Sequence, residues 1–192
     1  WDKDKHTVSP FAISPSWKRF RAYDHGRANP ACCLWGALDY DGRVYIYREY
    51  YMTGQDVDKI AQEINRLSQG EIYEYSVADP SIFANIGYVD KYGGQTIAET
   101  FARNNITFLP ASNRRVDGWN LMHQYLYWGN EVLPKLVFFN TCYNSIRTIP
   151  NLIHDEIKPE DLDTDSDDHC VDSCRYLLMS LHERQSTKPL TE

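Results

Sequence analysis

The sequence has no run of about 18 consecutive apolar residues and no signal peptide, so nothing in it predicts a membrane-spanning helix or a secreted protein. It is also short of positive charge, since 20 lysines and arginines stand against 27 aspartates and glutamates, for a net charge of −7. A nucleic-acid coat protein would normally be basic. This balance still leaves room for an enzyme that meets DNA through a local basic patch beside an acidic site.

Cysteine is odd in number, with five residues, and no spacing between them is typical of a disulfide framework. Cys32 and Cys33 lie next to each other in an apolar run, where cysteine behaves as a small buried hydrophobe. We therefore expect reduced thiols and an intracellular setting. The chain starts at Trp1 without a methionine, so we also expect a piece of a longer polypeptide.

What the sequence does contain is enough apolar material for one domain. It has 192 residues, of which 42% are hydrophobic and 14% aromatic, which is sufficient for a sizeable core. Residues 1–18 mix charges, prolines and serines and predict a linker. The domain itself is expected over residues 19–182, followed by a tail at 183–192.

The order of predicted elements indicates the fold class. Three strand-like segments come first, and the second and third are joined by a hairpin turn at Asp41-Gly42. A helix follows over "TGQDVDKIAQEINRLSQG", with apolar residues at helical spacing, and strands then alternate with helices as far as "VDSCRYLLMSLHE". The order β-β-β-α-β-α-β-α-β-α-α predicts an α/β fold: a mixed sheet, antiparallel meander first and parallel strands after, with helices on its faces. This order resembles the ribonuclease H-like fold.

Three aspartates fall at special positions in this pattern. Asp24 ends the first strand, Asp79 ends the fourth strand, and Asp168 starts the last helix. Pro80 disfavours helical geometry at Asp79 and cannot donate a ladder hydrogen bond, so the fourth strand should stop there. If the first and fourth strands are neighbours, Asp24 and Asp79 meet at one edge of the sheet and Asp168 can close the cluster.

A carboxylate cluster of this kind suits phosphodiester hydrolysis. Two divalent ions about 3.5–4 Å apart can activate water and stabilise the leaving oxygen. Mg²⁺ and Mn²⁺ prefer oxygen ligands, and two to four aspartates are enough to hold them. The sequence therefore predicts an Mg²⁺ or Mn²⁺ site, with two ions, whose carboxylates repel one another until metal binds.

Simpler explanations remain open for each acidic residue. An isolated strand-end aspartate commonly forms a turn, and Asp168 is a suitable helix N-cap. The acidic residues of 161–165 are expected on a solvated loop. An EF-hand fails because Cys174 stands at the position of the bidentate glutamate. Zinc bound by His169, Cys170 and Cys174 is disfavoured because Cys174 belongs to the apolar face of the last helix.

Several segments together resemble the nuclease domain of the tailed-bacteriophage terminase large subunit. "DDHCVDSCRY" resembles that family's closing motif, D-H-x-x-D-A-x-R-Y, with Ser173 and Cys174 as mild departures. "YDHGRANPACCLWGALDYDGRVYIYREYY" is similar to its first motif and hairpin, and "VADPS" to its central strand-end aspartate. "RRVDGWNLMHQYL" resembles the start of the helix before the last strand. The resemblance runs from about residue 19 to residue 180.

This resemblance implies a metal-dependent endonuclease that cuts concatemeric double-stranded viral DNA during genome packaging. In such proteins an ATPase domain precedes the nuclease, and no G-x-x-x-x-G-K-[ST] loop occurs in this sequence. The implied partners are DNA, that ATPase domain, the small terminase subunit and the portal protein. The implied location is the cytoplasm of an infected bacterium.

The motifs also imply roles for individual residues. Asp24, Asp79 and Asp168 match the metal ligands. Two further candidates are Asp167, because the acidic pair leaves the ligand ambiguous by one position, and Asp172, one helical turn beyond Asp168. Asp172 has the alternative of pairing with Arg175 or Arg27.

Basic residues near these aspartates are the other candidates. His25 and His169 each adjoin a proposed ligand, where they can orient water, contact phosphate or simply lie on the surface. Arg27, Arg114 and Arg115 are the best candidates for contacting DNA phosphates, since the last two start a helix and a helix N-terminus favours phosphate.

Two alternatives to a packaging endonuclease stay open. A Holliday-junction resolvase or ribonuclease H-type nuclease would share the fold and the metals but prefer branched DNA or RNA–DNA hybrids. A catalytically silent docking module of a packaging motor would tolerate alanine at the three aspartates.

Overall fold

A computed structural model of the chain describes residues 1–26, 28–85, 87–129, 131–152 and 167–186. Its seven strands form one mixed sheet in the order β1-β7-β4-β3-β2-β5-β6. The strands are β1 (Thr7–Val8), β2 (Lys18–Asp24), β3 (Ala31–Leu38), β4 (Val44–Met52), β5 (Tyr75–Ala78), β6 (Leu109–Pro110) and β7 (Leu136–Phe139). The helices are α1 (Lys3–His6), α2 (Val57–Leu67), α3 (Ile97–Arg103), α4 (Arg115–Leu126), α5 (Tyr143–Thr148) and α6 (His169–Ser186), with 3₁₀ turns at Pro80–Phe83 and Ile149–Asn151.

The antiparallel meander β2-β3-β4 is confirmed, and local chemistry sets its second turn. Gly42 has a positive φ of 79°, which glycine adopts without steric cost. One oxygen of the Asp39 carboxylate accepts hydrogen bonds from the backbone N–H groups of Asp41 (2.9 Å) and Arg43 (2.8 Å). These bonds fix the turn and with it the register of β3 on β4 from Leu38 back to Gly36, and a β-bulge shifts the register between Gly36 and Trp35.

The parallel strands flank this meander. β5 runs parallel to β2, with Tyr23 opposite Ala78, and β7 runs parallel to β4. The predicted neighbour relation between the first and fourth strands of the sequence pattern is therefore confirmed. The mixed sheet with helices packed against it is the predicted fold class.

Helix α6 packs on one face of the sheet. Its predicted apolar face is buried: Val171, Cys174, Leu177, Leu178 and Leu181. It packs on β2, β3 and β5, and the hydroxyl of Ser173 donates to the backbone oxygen of Ala22 (2.9 Å). The N-terminal end of α6 consequently lies beside the end of β2. No helix among the described residues is long and apolar enough to cross a membrane.

Residues 1–18, which the sequence pattern assigns to a linker, carry structure of their own. Strand β1 pairs parallel to β7 at the sheet edge. His6 is fully buried and its Nε2 lies 2.7 Å from the backbone oxygen of Leu126. Phe11 packs its ring against Tyr45 and Phe139. These contacts hold the segment against the sheet. They could not be predicted from the charged and proline-rich sequence of the segment.

All five cysteines are free and buried. Cys32 and Cys33 are fully buried in β3, as expected for small hydrophobes. The Sγ atoms of Cys32 and Cys170 lie 3.4 Å apart, which places α6 directly on the sheet.

Candidate active site

Asp24 and Asp79 lie side by side at the carboxyl ends of the neighbouring strands β2 and β5. Asp24 is the last residue of β2 and is only 6% exposed. The backbone N–H of Asp79 donates to the backbone oxygen of Tyr23 (2.9 Å), which extends the β2–β5 ladder by one residue beyond the strand. The predicted convergence of the two aspartates thus has a backbone cause, the parallel pairing of their strands.

The Asp79 side chain also caps the 3₁₀ turn that follows it. Its Oδ1 accepts from the backbone N–H of Ser81 (2.9 Å) and its Oδ2 from the Ser81 hydroxyl (2.7 Å). This is the ordinary turn-forming role of aspartate. The carboxylate nevertheless lies close enough to Asp24 for its charge to raise the pKa of Asp24.

His169, at the start of α6, reaches Asp24. Its Nδ1 lies 2.8 Å from Oδ2 of Asp24, and both side chains are largely buried. The hydrogen bond to Asp24 raises the pKa of His169 despite an opposing effect of burial. Burial, with smaller contributions from the charges of Asp172 and Asp79, raises the pKa of Asp24 to about 7 against the opposing hydrogen bond and charge of His169.

Asp168, the residue that precedes α6, faces Asp172, His169 and Arg115. Burial raises the pKa of its carboxyl, and the charge of Asp172 adds to this effect. His169 and Arg115 act in the opposite direction. The charge of Asp172 thus raises the pKa of both Asp24 and Asp168, and these carboxyls together with Asp79 form one cluster of interacting charges.

Asp172 is held by two arginines. Its Oδ1 lies 2.9 Å from both Nε and Nη2 of Arg175, and its Oδ2 lies 3.4 Å from Nη1 of Arg115. Of the two roles considered for Asp172, the structure contains the ion pair with Arg175. Arg27, its other proposed partner and a proposed DNA contact, lies outside the described residues.

Asp167 points to a different part of the fold. Its Oδ1 accepts a hydrogen bond from the hydroxyl of Tyr51, and its Oδ2 lies 2.9 Å from Nη2 of Arg147. These contacts tie the approach to α6 to β4 and α5. The sequence motif gave no signal for Tyr51 and Arg147, because only the folded sheet brings them next to Asp167.

Of the other basic residues proposed for the site, Arg115 lies beside the carboxylates and Arg114 lies on the surface. Arg115 lies within the cluster, with Nη2 3.9 Å from Oδ2 of Asp168. Arg114, its neighbour, is exposed and pairs with Asp117 (3.1 Å) and Glu183 (2.8 Å). His25 lies just beyond Asp24, and its Nδ1 is 2.8 Å from the hydroxyl of Tyr23.

A comparison with models of protein families identifies the family of this chain. The family model described as the terminase RNaseH-like domain matches residues 21–181, which is most of the chain. The chain belongs to this terminase domain family. No curated protein matches its sequence.

Solved structures of terminases share the fold of this terminase domain. The large terminase nuclease domain of bacteriophage P22 superimposes with a TM-score of 0.75 at 16% identity, covering 98% of this chain and 95% of that one. A large terminase from a thermophilic bacteriophage, solved as a longer chain, gives a TM-score of 0.73 at 16% identity and covers 95% of this chain. This chain spans 44% of that longer terminase.

The large terminase nuclease of another thermophilic phage, G20c, in a structure with bound zinc, gives a TM-score of 0.55 at 16% identity. That match covers 92% of this chain and 94% of that one. At 16% identity these likenesses establish the fold and not the roles of individual residues.

Whether the residues of this terminase domain fit a divalent ion can be tested on their chemistry. Among the described residues, no group of three or more His, Cys, Asp or Glu side chains is arranged to hold a metal ion. Asp24 is engaged with His169 and Asp79 with Ser81. The donors are nevertheless hard carboxylate oxygens at one sheet edge, and their repulsion is what a cation relieves. In donor type and charge the residues fit Mg²⁺ or Mn²⁺, but the carboxylates would have to exchange their present partners for the ion and move closer together to hold it.

Proposed function

We propose that this terminase domain is a divalent-metal-dependent endonuclease that cleaves concatemeric double-stranded viral DNA during genome packaging. The observation that carries the proposal is the meeting of Asp24 and Asp79 at the ends of two parallel strands, beside a helix start where the charge of Asp172 raises the pKa of both Asp24 and Asp168. Two neighbouring strands and the start of α6 thus bring interacting carboxyl groups to the same end of the sheet, which turn formation alone would not require. Membership of the terminase family supports the same function.

In this proposal Asp24, Asp79 and Asp168 hold Mg²⁺ or Mn²⁺, as the pair of ions that the family implies. Such ions, when bound, supply an activated water and a positive charge for the leaving oxygen.

The protein's own contribution is positioning. His169 fixes the orientation of the Asp24 carboxylate through its 2.8 Å contact, which favours an orienting role for this histidine over a contact with phosphate. Burial and the nearby charges of Asp172 and Asp79 raise the pKa of Asp24, so a bound cation would take the place of the proton on this carboxyl.

The partners and location follow from the family rather than from the site. We include in the proposal an ATPase domain in the same polypeptide, the small terminase subunit, the portal protein and the cytoplasm of an infected bacterium. The share of 44% that this chain spans in the longer thermophilic-phage terminase supports a further domain in the whole protein.

The direct test is cleavage of supercoiled plasmid in Mn²⁺, Mg²⁺, Ca²⁺ or EDTA. We expect nicking and linearisation in Mn²⁺ or Mg²⁺ and none in EDTA. Asp24→Ala and Asp168→Ala should each lower the rate by about 100-fold or more, the usual cost of losing a group central to catalysis. Asp117→Ala is the matched control, because Asp117 is an exposed carboxylate that pairs with Arg114 outside the cluster.

Branched DNA and an RNA–DNA hybrid complete the experiment. If either substrate is cleaved faster than duplex DNA, the proposed function changes from a packaging nuclease to a resolvase (branched DNA) or a ribonuclease H-type enzyme (RNA–DNA hybrid). A folded protein that cuts nothing and gains no melting temperature from metal would instead be a silent docking module.

A further inference from the structure

Arg115 occupies an unexpected place for a residue that would contact DNA. It begins α4, yet its guanidinium reaches across to the start of α6. Nη1 lies 3.4 Å from Oδ2 of Asp172, and Nη2 lies 3.9 Å from Oδ2 of Asp168. The Arg115 side chain is 28% exposed, against 16% for Asp168 and 10% for Asp172. The arginine is thus partly withdrawn from solvent between two carboxylates.

The packing of α4 against α6 holds Arg115 there. The guanidinium of Arg115 stacks over Trp119 at 5.3 Å, and that of Arg175 lies 4.9 Å from the same ring. Trp119 is itself buried, so it is a fixed platform for both cations. Arg175 in turn pairs with Oδ1 of Asp172, which leaves Oδ2 directed to Arg115.

The two arginines have different relations to the cluster. Arg175 is fully buried and pairs with Asp172, which makes it a structural anchor. Arg115 is the arginine that also faces Asp168, one of the three proposed ligands. An arginine side chain keeps its charge at every relevant pH. In the metal-free protein it therefore offsets part of the repulsion around Asp168.

We propose that Arg115 is a resident counter-ion that competes with the divalent cation for Asp168. The ion replaces the guanidinium as the positive charge beside this carboxylate, and the released guanidinium becomes available to a DNA phosphate. Metal binding and the DNA contact are thereby coupled through one side chain. This inference rests on the proposed function, since it assumes that Asp168 holds a cation.

The competition predicts a gain of metal affinity on loss of the arginine. Mn²⁺ binding is measured by isothermal titration calorimetry without DNA, on the wild type, Arg115→Gln and Arg114→Gln. Arg115→Gln should bind Mn²⁺ about two- to fivefold more tightly, the upper part of the range expected for a partly exposed ion pair. Arg114→Gln removes the same charge one residue away, from an arginine paired with Asp117 and Glu183, and should leave the affinity unchanged.

Arg115→Lys guards against a folding defect in the glutamine variant. It keeps the positive charge, so its Mn²⁺ affinity should stay close to that of the wild type. An Arg115→Gln protein that binds Mn²⁺ no more tightly than the wild type overturns the inference. A wild type that binds no Mn²⁺ and cuts no plasmid overturns the proposed function and this inference with it.

A second experiment tests whether the released Arg115 binds a DNA phosphate. Duplex DNA binding is followed by fluorescence anisotropy in EDTA and in Ca²⁺. Ca²⁺ should strengthen binding more in the wild type than in Arg115→Gln, because only the wild type has a guanidinium to release. An equal gain in both proteins would contradict the release of Arg115 toward DNA.

Discussion

At the scale of single residues, identical aspartates have different chemistry because of their neighbours. Asp24 is buried beside two other carboxylates and has one histidine partner, so its pKa rises to about 7. Asp172 has two arginines, and Asp167 has a tyrosine and an arginine. The ionised form of Asp24 is thus the least compensated of these, which suits a cation ligand.

The raised pKa of Asp24 makes the stability of the metal-free protein depend on pH. Between the unfolded value of 3.8 and about 7, the native state binds this proton more tightly than the unfolded chain. The free energy of unfolding therefore falls as the pH rises through this range. His169 acts in the same direction: its folded pKa is raised above 6.5, so its contribution is present below 6.5 and is lost as the pH rises through the folded value.

We expect Asp24→Asn to remove most of this dependence. In EDTA its melting temperature should exceed that of the wild type at about pH 8 by roughly 2 °C or more, with a smaller difference at about pH 5. Differential scanning calorimetry across this range measures both quantities. Asp117→Asn, on an exposed carboxylate, should follow the wild type. An Asp24→Asn protein with the wild-type pH slope would contradict a protonated, buried Asp24.

At the scale of elements, the contact between α4 and α6 positions Arg115 and Arg175 beside the carboxylates of Asp168 and Asp172. Gly118 lies on α4 where the side chain of Arg175 passes, and a Cβ built at Gly118 would lie 2.5 Å from both Cγ and Cδ of Arg175. Arg175 is fixed by Asp172 and stacks on Trp119 and Tyr176. It therefore has little freedom to move aside, and the glycine is needed for the close approach of the two helices.

Gly118→Ala is predicted to destabilise the protein, against the helix propensity of alanine. In an exposed helix this change would be favourable by about 1 kcal/mol. Here the methyl group overlaps a buried side chain, and we expect a net loss of about 1–3 kcal/mol in the free energy of unfolding. Urea denaturation measures it, with Asn120→Ala, an exposed position of the same helix, as the control. A neutral or stabilised Gly118→Ala would show that Arg175 can move.

The elements and their order could be predicted from the sequence because they follow local rules. The Asp41-Gly42 turn fixes a hairpin, and the apolar spacing of α2 fixes its buried face. The meeting of Asp24 and Asp79 followed once their strands were taken as neighbours. The partners of Asp167 and the strand β1 could not be found in this way, because they depend on contacts between segments that are far apart in the chain.

At the scale of the whole molecule, an acidic protein has to act on an acidic polymer. The net charge of −7 opposes association with DNA. The one arginine of the proposed DNA set that the described residues place in the cluster, Arg115, is paired with carboxylates in the metal-free state. Arg114 is exposed but has two acidic partners. We therefore expect other parts of the packaging machinery to provide most of the affinity for duplex DNA. Weak binding by this domain alone would limit indiscriminate cutting.

This view predicts weak, strongly salt-dependent DNA binding by the domain alone. In EDTA the dissociation constant for duplex DNA should be about 10⁻⁴ M or weaker at physiological salt, at the weak end of non-specific binding. Lowering the salt about threefold should tighten binding by roughly tenfold if two or three phosphates are contacted. Fluorescence anisotropy over a salt series gives both values.

The matched variants for this experiment are Arg114→Gln and Arg66→Gln. Arg114 lies next to the cluster, so its loss should weaken binding to every sequence alike and reduce the salt slope by about 1. Arg66 is an equally exposed arginine that pairs with Glu63 on α2, and its loss should change neither value. A micromolar dissociation constant for the isolated domain at physiological salt would contradict this prediction and show that the domain binds duplex DNA without a partner. The acidic charge would then have to be offset by a basic surface that Arg114 and Arg115 do not provide.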